Sequence, residues 1–107
     1  MKKFNKLVRD RIPEIIEKNN EKAVIKILDN NEYIKELNIK LKEEINEYLL
    51  DENVEELADI VEVIYGILDA KRVTLEEFED IRKKKVEKRG AFKNRVFLEY
   101  TLDEDGL

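Results

Sequence analysis

Apolar residues recur along this chain mostly at three- and four-residue spacing, the period of helices packed by one face, and only one Pro and three Gly interrupt them. Pro13 suits the first turn of a short helix ending near Lys18, and Asn19-Asn20 closes it. Residues 23–28 (AVIKIL) are rich in β-branched side chains and fit either a short strand or a fragment of helix; an extended segment is favoured. Asp29, with Glu32 three residues on, marks a helix start. Ile34, Leu37, Leu41, Ile45 and Tyr48 then share one stripe of a helix that reaches about Leu50. After the turn Asp51-Glu52-Asn53, residues 54–70 are apolar over a wider arc (Leu57, Ile60, Val61, Val63, Ile64, Ile67, Leu68), which predicts the most buried helix. Thr74 with Glu77 reads as a capping box opening a helix to about Lys88, and Gly90 stops it. Residues 95–101 (RVFLEYT) have strand character. The pattern predicts an all-α fold: a helical bundle around an antiparallel helix hairpin, with short extended segments near 23–28 and 95–101.

Length narrows this further. A chain of 107 residues is the usual size of one domain, so 1–107 is expected to form a single unit. A domain that short buries only about two thirds of its chain surface, so completion of the core by a partner subunit is expected. The apolar runs are far too short to span a bilayer, and no apolar signal core follows Met1, so a cytoplasmic location without membrane contact is expected.

Charge decides the chemistry. Lys, Arg, Asp and Glu make up 44% of the chain, yet the net charge is −5, which argues against binding a nucleic-acid polymer. There is no His and no Cys. Ser-His and Cys-His nucleophiles and His-ligated zinc are thereby removed, leaving carboxylates, amines and a hard cation.

At 100° per residue Glu44 falls about 20° from Leu37 and about 40° from Tyr48, on the apolar stripe itself. Glu47 flanks it at i+3. On the following helix Glu56 aligns with Ile60, Val63 and Ile67, and Asp59 sits at i+3. An antiparallel hairpin centred between residues 51 and 52 sets Glu47 opposite Glu56 and Glu44 opposite Asp59. Carboxylates so crowded repel one another and resist burial, and a divalent cation relieves both difficulties. All-oxygen ligation suits Mg²⁺, with Mn²⁺ as a substitute. The plain alternative is a set of solvated acids, since 26 Asp and Glu generate such pairs by chance, as at Glu14/Glu17 and Glu76/Glu79.

Cations supply a second set of candidates. Arg82, Lys85 and Arg89 fall within about 60° of one another on the side of Leu75, Phe78 and Val86, which makes them candidate phosphate ligands facing the bundle. The alternative is a solvated face that complements the helix dipole. Lys6 and Arg9, with Arg11, form another basic cluster, a second candidate for phosphate binding.

Glu43-Glu44-Ile45-Asn46-Glu47 followed by Glu56-Leu57-Ala58-Asp59 resembles the EExxE…ExxD signature of the MazG-like, all-α nucleoside triphosphate pyrophosphohydrolase superfamily. The opening FNKLVRDRIPEII and the late KRGAF…VFLEYT resemble a small phosphoribosyl-ATP pyrophosphohydrolase-like subgroup, so the resemblance covers nearly the whole chain. It implies a helical bundle assembled as a dimer or tetramer, with Mg²⁺ held for hydrolysis of a nucleotide substrate between its α- and β-phosphates. It matches Glu44, Glu47, Glu56 and Asp59 to metal ligands. Glu43 is then an extra acid, a second-metal ligand or base, which places Glu43, Glu44 and Glu47 in the catalytic set. Nucleotide-pool house-cleaning is the expected role. The alternatives are phosphoribosyl-ATP hydrolysis in histidine synthesis and a non-catalytic helical interaction module.

Overall fold

A computed structural model describes residues 1–104 and 106. They form four helices, α1 (Ile12–Lys18), α2 (Asn30–Asp51), α3 (Val54–Ala70) and α4 (Leu75–Arg89), and no strand. The fold is all-α, as the periodicity predicts. The chain divides into two compact units, Met1–Leu75 and Glu76–Leu107.

The first unit is organised by the α2–α3 hairpin, whose two helices pack closely on each other. Local chemistry fixes both its start and its turn. Asp29 caps α2, its side chain accepting from the Glu32 N–H at 2.8 Å. At the far end Glu52 takes a left-handed conformation (φ 54°), its N–H returning to the Tyr48 carbonyl. Asn53 then caps α3 by accepting from the Glu55 N–H at 3.0 Å, while its own N–H is held by Asp51 Oδ1 at 3.0 Å. Two residues therefore reverse the chain with both of their backbone N–H groups satisfied.

The apolar core lies at the open end of this hairpin. Leu37, Val63 and Ala70 are buried, and Leu7, Tyr33, Ile34, Leu41 and Ile67 pack around them. Gly66 leaves room for the Leu37 side chain, since a Cβ there would stand 2.9 Å from Leu37 Cδ2. The stripe read from the sequence is narrower than expected at its rim: Ile45, Leu57 and Val61 are exposed.

In the second unit α4 has no buried residue. Gly90, at φ 81°, ends the helix by returning its N–H to the Val86 carbonyl at 2.7 Å, as the sequence anticipates.

Neither strand-like segment forms a strand. Residues 23–28 and 95–101 have no regular structure, and most of their apolar side chains face solvent, with Val24 90% and Phe97 87% exposed. β-Branched composition favours extended backbone, but a strand persists only where a neighbouring strand completes its hydrogen bonds, and the described residues form none.

Because the core is small and Leu37 is only 4% exposed, Leu37→Ala is expected to destabilise the protein by about 2–4 kcal/mol. Glu52→Gly should shift stability the other way, by about 0.5–1 kcal/mol, by relieving the left-handed backbone at the turn. Urea unfolding of both variants tests whether core and turn hold the hairpin in this manner.

Candidate metal centre

Between the turn and the apolar core the hairpin carries acids where its stripe would otherwise be hydrophobic. Glu44 projects from the middle of α2 and is 8% exposed, the one buried charged residue among those described. Ligand atoms of Glu44, Glu56 and Asp59 lie within 4.8 Å of one another, and so do those of Glu43, Glu44 and Glu47. Glu44 belongs to both groups, which meet at its carboxylate. The i, i+3 spacing on each helix places each pair on one face, and the two-residue turn brings the faces together.

The electrostatics of this arrangement are unfavourable. Glu44 Oε2 and Glu56 Oε2 are both buried without a hydrogen-bond partner. Burial is the largest influence raising the Glu44 carboxyl above its ordinary pKa. Hydrogen bonding with Glu47, available only to a protonated acid, and the charges of Glu47 and Asp59 add to it, while Lys40 opposes them. Glu56 is likewise raised, first by loss of solvent and then by the charges of Asp51, Glu47 and Asp59.

Three cations answer this excess. Lys40, one turn before Glu44 on α2, reaches Glu43 at 3.5 Å and Glu44 at 3.7 Å. The other two come from the irregular N-terminal segment. Arg9 Nη2 donates to Asp59 Oδ1 at 2.6 Å, and Lys6 Nζ stands 4.0 Å from Glu43. Sequence spacing singled out Lys6 and Arg9 as a basic cluster but gave no sign that they meet these acids. The available signal was Leu7 between them, an apolar residue in a polar stretch, which packs on the core.

The remaining basic candidates lie on α4, in the second unit. Arg82 holds Glu79 one turn back, its Nε donating to both carboxylate oxygens at 3.0 Å and its Nη2 making a further close contact. The guanidinium keeps the Glu79 carboxyl below its usual range. Lys85 and Arg89 are exposed on the same helix.

The donor set suits a hard divalent cation: all ligands are carboxylate oxygens, two groups share one buried acid, and two buried oxygens lack any donor. No family model, curated protein or solved structure matches the chain.

These shifts carry a sign for stability. A carboxyl whose pKa is raised by folding favours the folded state fully below its ordinary value of 4.5, and that contribution is lost as pH rises through the raised folded value. Glu44→Gln removes one such group. In EDTA the melting temperature of Glu44→Gln relative to wild type should therefore increase as pH is raised from about 4.5 toward neutrality. A difference that stays flat with pH would place Glu44 in an ordinary solvated setting.

Proposed function

We propose that this protein is a Mg²⁺-dependent nucleoside triphosphate pyrophosphohydrolase of the MazG-like all-α kind. The observation that carries the reading is the pair of buried, donorless oxygens of Glu44 and Glu56 at the meeting point of two carboxylate groups. Acids held this way are unfavourable alone and favourable around a divalent charge.

In this reading Glu44, Glu47, Glu56 and Asp59 hold the cation, and Glu43 stands at the edge as a second-cation ligand or proton acceptor. When bound, Mg²⁺ would supply charge neutralisation for substrate phosphates and polarise an attacking water, and Mn²⁺ would substitute for it. The chain's own carboxylates orient that water and accept its proton. Its oxygen bonds to the α-phosphorus as the α–β bridging P–O bond breaks, giving nucleoside monophosphate and pyrophosphate. Lys6 and Arg9 offer positive charge beside the acids for phosphate oxygens. Arg82, Lys85 and Arg89 are further phosphate candidates, and among them Arg82 must first leave Glu79.

Pyrophosphate release from a panel of nucleoside triphosphates and phosphoribosyl-ATP, with and without Mg²⁺, tests the activity and identifies its substrate. Glu44→Gln and Asp59→Asn are each expected to abolish release while the protein stays folded by circular dichroism, because loss of one ligand weakens the site and also lessens repulsion among the remaining acids. Full Mg²⁺-dependent turnover in both variants would remove these acids from the site.

The reading includes a second copy of the chain. Among the described residues four hydrophobic ones are buried, Leu37, Val63, Leu68 and Ala70, whereas Leu49, Leu50, Val54, Leu57 and Val61 are exposed along the hairpin. A core this small gives little stability alone, and exposed apolar helix faces mark interfaces. Sedimentation equilibrium should give two or four times the 12.8 kDa chain mass; the single-chain mass at micromolar concentration would refute the assembly.

A further inference from the structure

We propose that Arg9 is an exchangeable counter-ion of the acidic site: it holds Asp59 in the metal-free protein, and when a divalent cation takes that carboxylate its guanidinium turns to the phosphates of a bound polyanion. The inference rests on the metal-centre reading above.

Arg9 is positioned from both sides along the chain. Leu7 packs on the apolar core two residues earlier, and the Arg9 carbonyl accepts the Ile12 N–H at 3.0 Å where α1 begins. The backbone is thereby fixed beside the hairpin while the side chain reaches across to α3. One nitrogen, Nη2, contacts Asp59, and the side chain remains 58% exposed. A guanidinium has five N–H donors in a planar fork, so most of its donor capacity stays open to an anion.

Charge balance gives the exchange its direction. Glu43, Glu44, Glu47, Glu56 and Asp59 outnumber Lys6, Arg9 and Lys40, so the cluster carries an excess of negative charge that a divalent cation would offset. Once that cation is bound, the carboxylates are neutralised and the guanidinium meets a like charge where it met an opposite one. A polyphosphate arriving on the cation then adds negative charge beside Arg9, in a form that the planar fork matches. Lys40 has no such freedom, being largely covered on α2 between two of the acids.

Calorimetric titration of metal-free protein with Mg²⁺, and then of the Mg²⁺-saturated protein with inorganic tripolyphosphate, reads the two halves separately and needs no knowledge of the base. Arg9→Gln should bind Mg²⁺ about two- to five-fold more tightly, because a half-exposed competitor is gone. It should bind tripolyphosphate about ten-fold more weakly, because a charge-assisted donor is gone. Lys2→Gln, which removes the same charge from the same segment at a residue lying over the Phe4 ring, is the control. Opposite shifts in Arg9→Gln alone support the exchange. Weakening of both ligands, or shifts no different from those of Lys2→Gln, overturns it. Wild-type protein that takes up no Mg²⁺ overturns the metal-centre reading and the exchange with it, whereas Mg²⁺ binding that Arg9→Gln leaves unchanged overturns the exchange alone.

Discussion

The carboxylate of Glu44 occupies a place on α2 that helix periodicity reserves for an apolar side chain, and one of its oxygens has no donor. Burying an acid among acids is unfavourable twice, through loss of water and through repulsion. The hairpin tolerates this because both of its ends are secured by other means. At one end Glu52 and Asn53 close the turn with their backbone N–H groups satisfied, and at the other Leu37, Val63 and Ala70 form the core. The acids lie in the stretch between, where neither helix can withdraw without opening one of those ends.

Much of this hairpin was legible in the sequence because the determinants are local. The Asp29 cap, the turn at Glu52-Asn53, the extent of α3 and the stop at Gly90 each follow from chemistry within four residues of the boundary. The grouping of Glu44 with Glu56 and Asp59 was legible for a related reason. Once two helices are joined by a two-residue turn, the register between them is set and i, i+3 pairs are carried to known levels. The role of Gly66 was not legible, since its value lies in the space it leaves for a side chain on the other helix.

What the sequence left open depends mostly on distant partners. Residues 23–28 and 95–101 have strand composition, yet a strand is a property of two segments, and composition reports only one. The link between Arg9 and Asp59 spans fifty residues of sequence, and no periodicity carries information across the irregular segment before α1. On α4 the angular clustering of Arg82, Lys85 and Arg89 is compatible with either phosphate ligands or a solvated face. In the structure Arg82 holds Glu79 on its own helix, an i, i+3 partner that the same helical geometry supplies.

The counter-ions around Glu44 differ in how they are held, and this bears on what the site can do. Lys40 is covered on α2, so its charge is a permanent part of the hairpin and offsets the burial of Glu44 whatever else binds. Lys6 and Arg9 are tied through Leu7 and the start of α1, with their charged ends about half exposed. Pairs this exposed contribute little to stability, on the order of 0–1 kcal/mol, so the fold depends on them weakly. Cations that are well placed but weakly held can change partners without disturbing the core. The hairpin with its buried acid thus holds one counter-ion on its own helix, while the other two come from the segment before α1 and are held at about half exposure.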